Sequence, residues 1–376
     1  MNRHASFVHY ACKLMDRTSR KTVNWRMPKT IGLGVIGCGS IAYWVHLRIA
    51  KQVRGAALIA ASDPDPEARK RAERLARIPV HERTEDLLSR KDIDAVIISG
   101  PTHLHAPLVI AACDAGKHVY LEKPIAASIA DGARVVDASA RAGVTVMLGF
   151  NRRFHPLYEQ ARQLIQEGRL GEVRAVQTTF CEPAAPDAMP EWKRHRETGG
   201  GVVLDLASHH IDLLRWFLSD EVATVEASIN SELTDHDSAR LELTMRGGAH
   251  VQSWFSCRTA LSDWFEFAGE RATLRVDRHR PRISLRVPRR LGYGVRTARI
   301  LPPAAVAAWW LRRAVRPSKE PSYSRALAAF VGVLNGEALP VPGVIDGMRA
   351  LEVVEAAEES ARRATPVDLP GSRLPG

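Results

Sequence analysis

Two adjacent histidines and two carboxylates fall within "GGGVVLDLASHHID", Gly199 to Asp212. An imidazole titrates near neutrality. It therefore suits a group that takes a proton from a hydroxyl and later returns it. Wound as a helix at about 100° per residue, the stretch places Asp205, His209, Asp212 and Trp216 on one stripe. Leu206, His210, Leu213 and Phe217 fall on a second, apolar stripe, which makes His210 a packing histidine. Asp205 and His209 stand one turn apart and can share a substrate. Three glycines just before them let backbone approach a ligand. His209 is the expected proton-transfer group.

A second polar signal is "LEKP", with Glu122 and Lys123 at the carboxyl end of an expected parallel strand, where ligands of such sheets bind. Position alone makes a solvated loop lysine the commoner reading. Pro124 fixes the local backbone and favours a positioned one. Glu122 is counted with the cofactor-lining residues. The third signal is "GVIGCGSIA", a G-x-G-x-x-A pattern at Gly37, Gly39 and Ala42 between an expected strand and helix. Gly37 permits the tight turn, Gly39 the approach of a pyrophosphate, and Ala42 close helix–strand packing. The helix start at Ser40 and Ile41 supplies amide donors. The next strand ends in Asp63, whose carboxylate suits a ribose 2′-hydroxyl and repels a 2′-phosphate. NAD is favoured, with NADP as the alternative because Arg69 and Lys70 are near in sequence.

The elements that must carry these residues are legible in the hydrophobic pattern. From Ile31, continuous apolar runs such as "IGLGVIG", "AALIAAS", "DAVIIS", "HVYLE" and "VTVML" alternate with helical stretches. That alternation means a doubly wound parallel sheet, a Rossmann-type α/β domain over 29–150. Beyond it, "TVEASIN", "ARLELTM" and "AHVQSWFSC" alternate polar and apolar residues, as antiparallel strands with one wet face do. Helices are interleaved, so residues 151–376 are expected to form an α+β domain with a large open, mainly antiparallel sheet.

The chain has 376 residues, 45% of them apolar and 25% charged, with a net charge of +11. Residues 1–29 carry +6 and residues 271–316 carry +12, leaving −7 elsewhere. The basic character is thus local, which argues against a nucleic-acid partner. Five scattered cysteines without a CxxC pair argue against disulfides and a zinc site and fit a reducing cytoplasm. The basic stretch 1–28 lacks a secretory apolar run and reads as a disordered tail or a start upstream of the natural one at Met27.

These pieces together resemble the glucose–fructose oxidoreductase / inositol dehydrogenase / rhizopine-catabolism (GFO/IDH/MocA) oxidoreductases. "GVIGCGSIA", "PTHLHAPLVIAACDAGKHVYLEKPIA", "GFNRRFHP", "GGGVVLDLASHHIDLLRW" and "DGMRALEVVEAAEESARRATPVDL" stand in the family's order. The resemblance implies that Lys123 stabilises charge on the reacting oxygen and that Asp205 orients the substrate. It implies that His209 is the general base, with hydride exchanged with a nicotinamide and no metal needed. It also implies that Pro101, Thr102, His105 and Arg153 line the cofactor cleft. Thr102 stands where many members have asparagine, and Ala207 where many have glycine. The implied activity is an NAD(P)-dependent dehydrogenase or reductase acting on a secondary alcohol or ketone of a sugar, cyclitol or sugar derivative. Its implied state is a homodimer or homotetramer. A catalytically silent dinucleotide-binding regulator and an NAD-using glycosidase share the fold and are the alternatives.

The Arg-rich stretch around 278–318 does not match the family pattern. It ends in "PPAAVAAWWLRRAV", expected as a short helix that packs on the sheet or on a neighbouring subunit. The alternative is a basic flap, with Arg289, Arg290, Arg312 and Arg313 reading an anionic substrate group or resting peripherally on an anionic membrane.

Overall fold

The computed structural model describes residues 30–185, 187, 189–280, 282–288, 295–300, 320–337 and 341–370. The basic tail and the helix expected near 302–315 lie outside the described residues, as do Arg289, Arg290, Arg312 and Arg313. Six parallel strands build the first sheet: β1 (Ile31–Ile36), β2 (Ala56–Ser62), β3 (Val80–His81), β4 (Ala95–Ile98), β5 (His118–Leu121) and β6 (Val146–Leu148). Their order is β3-β2-β1-β4-β5-β6, so the strand order reverses between β1 and β4. Every residue of β1 and β4 is buried, because helices cover both faces. The switch point opens a crevice at the carboxyl ends, into which the Gly37 turn and the Glu122–Lys123 loop both run.

The second sheet has nine strands: β7 (Val173–Cys181), β8 (Val222–Asn230), β9 (Ser238–Met245), β10 (His250–Ser256), β11 (Ser262–Gly269), β12 (Thr273–Asp277), β13 (Arg282–Pro288), β14 (Val295–Ile300) and β15 (Val367–Asp368). Their order is β14-β13-β12-β11-β7-β10-β9-β8-β15, antiparallel except where β7 meets β10. Period-two burial along β10 and β11 puts Val251, Ser253 and Phe255, and Asp263, Phe265 and Phe267, on the inner face. Helices Pro156–Gln166, Ser208–Leu218 and Val344–Arg363 lie against the sheet. Phe217 packs edge-on against Phe265 and Phe267, at ring-centre distances of 5.4 and 5.1 Å.

Two features depart from the sequence reading. Part of the Arg-rich stretch, 282–288 and 295–300, forms two strands, β13 and the edge strand β14, that extend the sheet. Helix Pro321–Leu334, expected with the second domain, buries Ala326, Leu327, Phe330 and Val331 in the core of the first, beside Leu33, Val35 and Tyr120. The chain thus returns to the Rossmann domain and ties the two sheets together. Among the described residues, no helix is long and apolar enough to cross a membrane.

Candidate active site

The glycine turn after β1 is shaped by two different needs. Gly37 has φ +87°, and a Cβ there would meet the backbone of Ser99 and Gly100 at about 3 Å. The turn is therefore pressed onto the end of β4, where Ser99 Oγ donates to Gly37 O at 3.1 Å. A Cβ at Gly39 would meet nothing within 4 Å. Gly39 and Ser40 are exposed at the start of a helical stretch, which is how a loop that receives a phosphate must stand. Ile41 is partly covered and Ala42 is fully buried against the sheet.

Asp63 closes this cradle. Its Oδ2 accepts from the Cys38 amide at 2.6 Å and its Oδ1 from the Asp65 amide at 2.8 Å. Each oxygen keeps a lone pair for a ribose hydroxyl. Burial, and after it the Asp63 charge, pushes the Cys38 thiol up to about 12. The two nearby cations are engaged elsewhere. Arg69 donates to the Asp63 and Pro64 carbonyls at 2.9 and 2.7 Å, and Lys70 pairs with Glu67 at 2.8 Å.

Several residues expected to line the cofactor cleft have internal partners of their own. His105 is buried, its Nδ1 2.7 Å from Pro124 O and its Nε2 3.1 Å from Gly100 O. The neutral ring, favoured by burial, donates to one carbonyl at a time and staples the Pro101 loop to the Lys123 loop. Thr102 is buried beneath Gly199. Pro101 caps the 3-10 turn Thr102–Leu104. Glu122 is buried, with its carboxylate on His46 Nε2 at 2.7 Å. Arg153 is buried among carboxylates. Its guanidinium donates to both oxygens of Asp212, at 2.9 and 2.6 Å, and to Asp346 at 2.7 Å. A buried arginine requires such partners, and the same pairing takes Asp212 out of the reactive stripe.

The chemistry gathers around Asp205. It lies in a π turn, Val203–Ala207, that runs directly into helix Ser208–Leu218. Lys123 Nζ donates to Asp205 Oδ1 at 2.5 Å and to its carbonyl at 2.7 Å. Lys193 Nζ, from the short helix Glu191–Arg194, donates to Oδ2 at 3.0 Å. Burial opposes ionisation of Asp205, but the two lysines outweigh it and hold the carboxyl well below the usual range. In return Asp205 raises Lys193, which stays more than a third exposed in the cleft. The three glycines each solve a separate close approach. Added Cβ atoms would strike Thr102 from Gly199, the Lys193 carbonyl from Gly200, and His236 from Gly201.

His209 and His210 then diverge. His210 is fully buried, Nδ1 2.6 Å from Thr178 Oγ1 and Nε2 3.1 Å from Asp263 Oδ1. It is a doubly bonded core histidine, more constrained than its apolar stripe implied. His209 packs between the rings of Phe150 and Phe180, and its buried Nδ1 has no hydrogen-bond partner. Burial, then the charges of Arg152 and Lys123, push its pKa well below the ordinary histidine value. A cleft of about 380 Å³ opens over Asp205, walled by Glu182, Lys193, Val202, Thr234, His236 and Cys257. Lys193 and Glu182 escaped the sequence reading. The only signal for Lys193 is its place six residues before the glycines, in a run of mixed charge.

A glycine turn shaped for a dinucleotide and a buried lysine–carboxylate–histidine group are thus present in one chain. The chain belongs to the GFO/IDH/MocA oxidoreductase family. It matches "Oxidoreductase family, NAD-binding Rossmann fold" over residues 31–150 and "GFO/IDH/MocA C-terminal domain" over 158–275. It is 27% identical to an inositol 2-dehydrogenase of Rhizobium meliloti, over 90% of this chain and 99% of that protein. It is 30% identical to a myo-inositol 2-dehydrogenase of Thermotoga maritima, over 58% of this chain and 66% of that protein, just under two thirds of its length. Among solved structures, an oxidoreductase domain protein from Kribbella flavida superposes with a TM-score of 0.80 at 25% identity, over 91% of this chain and 100% of the other.

Proposed function

We propose that this oxidoreductase interconverts a secondary alcohol and its ketone on a cyclitol, a sugar or a sugar derivative, with NAD as the preferred cofactor. The observation that carries the reading is Asp205, ionised between Lys123 and Lys193 one helical turn from an unpaired His209. When a dinucleotide lies across the Gly39 turn with its adenosine ribose at Asp63, its nicotinamide end supplies the acceptor or donor of the hydride. His209, neutral at physiological pH, accepts the proton of the reacting hydroxyl and returns it in the reverse direction. Lys123 donates to the reacting oxygen and stabilises the charge that grows on it. Asp205 keeps the Lys123 ammonium aimed and, with Lys193 and Glu182, offers donors and acceptors to vicinal hydroxyls. That polar rim on a modest cleft suits a compact polyhydroxylated ring.

The same reading extends to the protein's setting. A second copy of the chain covers the outer face of the nine-stranded sheet, where Trp254 is 38% exposed, and yields a homodimer or homotetramer. The unpaired Cys38, Cys113, Cys181 and Cys257 suit the reducing cytoplasm. The deciding experiment screens cyclitols, free sugars and nucleotide sugars with NAD and NADP, following nicotinamide absorbance. Turnover of a polyol by the parent protein, lost in H209N, supports the reading. Tight NAD binding with no turnover of any of these compounds refutes it.

A further inference from the structure

His236 lines the substrate cleft together with Asp205 and Lys193, but the proton transfer at His209 leaves it without a task. It lies in the loop between β8 and β9 with φ +51°, a left-handed state that is uncommon for a residue with a Cβ. Such a state persists where its surroundings fix it, and here they do. The His236 carbonyl accepts from the Val202 amide at 2.8 Å, and its amide donates to Ser231 Oγ at 2.9 Å. The preceding residue, Asp235, accepts from the Arg196 amide at 3.0 Å and donates its own amide to the Arg194 carbonyl at 3.0 Å. Gly201 lacks the Cβ that would meet His236 Cβ at 2.9 Å. The loop is thus fastened to the glycine run that leads to Asp205 and to the segment that carries Lys193.

The ring is fixed as well. Its Nδ1 is buried and lies 3.5 Å from Glu358 Oε1 on helix Val344–Arg363, an electrostatic contact longer than a good hydrogen bond. Glu358 is clamped in turn by Arg196, through Nε and, at 3.1 Å, through a terminal guanidinium nitrogen. Arg196 also donates to the Ala127 carbonyl at 3.1 Å, in the loop that carries Lys123. A carboxylate facing Nδ1 favours the proton on that nitrogen and leaves the lone pair on Nε2. The side chain is 26% exposed, and Nε2 makes no hydrogen bond among the described residues. Asp205 and Lys193 spend polar atoms on each other, whereas this acceptor is spent on nothing.

We propose that His236 is a specificity-determining residue: its Nε2 accepts a hydrogen bond from a substrate hydroxyl on a carbon other than the reacting one. The inference rests on the reading of the cleft as a polyol site and names one contact that selects among polyols. Lys123 and His209 meet the reacting hydroxyl, so His236 is left for another. An acceptor held in a fixed place selects a hydroxyl over a hydrogen at that position. A substrate without the hydroxyl takes water from Nε2 and gives no donor back.

The test uses H236G, because glycine takes a positive φ without strain and removes the ring. The probes are the polyol turned over fastest among the cyclitols and free sugars, and its monodeoxy analogues. In the parent protein, an analogue lacking one hydroxyl away from the reacting carbon should lose about five- to tenfold in kcat/KM, the scale of one neutral hydrogen bond. In H236G the intact polyol should lose the same factor, more through KM than through kcat, and that analogue should lose nothing further. The other monodeoxy analogues should keep their parent ratios to the intact polyol. A ring that only props the loop would depress every substrate alike and preserve every ratio, and that result overturns the proposal. Should H236G fail to fold, the parent protein decides by NMR. The Nε2 signal of His236, assigned by its loss in H236N, should move when the polyol saturates the NADH complex and stay in place with the deoxy analogue. A signal unmoved by the polyol overturns the proposal. A parent protein that turns over none of these compounds refutes the polyol reading and this inference with it, whereas turnover with parent-like ratios in H236G refutes only the role of His236.

Discussion

His209 and His210 are neighbours in the chain and opposites in bonding. His210 spends both nitrogens on Thr178 and Asp263, whereas the buried Nδ1 of His209 has no partner. Removing each should therefore cost a different quantity. H209A should lower kcat of the folded protein by about a hundredfold or more, the scale of a lost general base. H210A leaves Asp263 and Thr178 short of a partner and should cost about 2–3 kcal/mol of stability while the folded fraction still turns over. Steady-state kinetics beside urea titration checks the pair. The opposite pattern would reverse the assignment.

The two lysines on Asp205 should separate in the same way. K123M removes the donor to the reacting oxygen and should lower kcat by about 10²–10³. K193M removes a partly exposed partner of Asp205 and should act mainly on KM, raising it about tenfold or less, because Lys123 still holds the carboxylate ionised. Equal losses of kcat in both variants would contradict the division of roles.

Asp63 offers its free lone pairs where the adenosine ribose would lie, and its nearby cations are tied down. NAD should therefore give a higher kcat/KM than NADP, and D63A should narrow the ratio by admitting the 2′-phosphate. Parallel kinetics with both cofactors decides this. Equal use of both by the parent protein would count against it.

Acid should destabilise the fold before carboxylates begin to protonate. His210 is held near 4 and His155 near 3, chiefly by burial, whereas both titrate near 6.5 once unfolded. Folded values below unfolded ones mean that stability is complete above about pH 6.5. It falls as the pH drops toward 4, because the unfolded chain takes up protons that the folded one refuses. Each such histidine contributes about 1.4 kcal/mol per pH unit within its window. Urea midpoints across this range should fall steeply, and less steeply in H155Q or H210Q. A flat profile down to pH 4 would show that these rings are not held neutral.

What could be read without the structure was what depends on neighbours in sequence. Gly37, Gly39 and Asp63 follow from a strand–turn–helix–strand unit with fixed spacing, and Asp205 and His209 from helical phase. The π turn at Val203–Ala207 shifts that phase without separating the pair electrostatically. Lys193, Arg152 and Asp263 were not legible, because each owes its role to partners 12, 111 and more than 50 positions away. "NRRF" shows the limit. Two adjacent arginines go to two different carboxylates, Asp263 and Asp212. Strand β13 was readable in principle, since "RISLRV" alternates with period two. The weight of arginine in that stretch hid the pattern.

The last expectation concerns the outer face of the large sheet. Register places Arg240, Trp254, Thr179, Trp264 and Asp277 in one row across β9, β10, β7, β11 and β12. Trp254 is 38% exposed, and Arg275 covers the Trp264 ring at 3.9 Å. The opposite face is packed under helices. Two tryptophans in a row flanked by Arg240 and Asp277 form an apolar centre with a charged rim, the layout of a self-complementary contact. The parent protein should therefore sediment as a dimer or tetramer at micromolar concentration. W254E places a charge at the centre of that row and should shift the mass toward the monomer, with the melting temperature of the Rossmann domain little changed. Sedimentation velocity at several concentrations reads the outcome. A parent protein that stays monomeric throughout would remove the outer face as an interface.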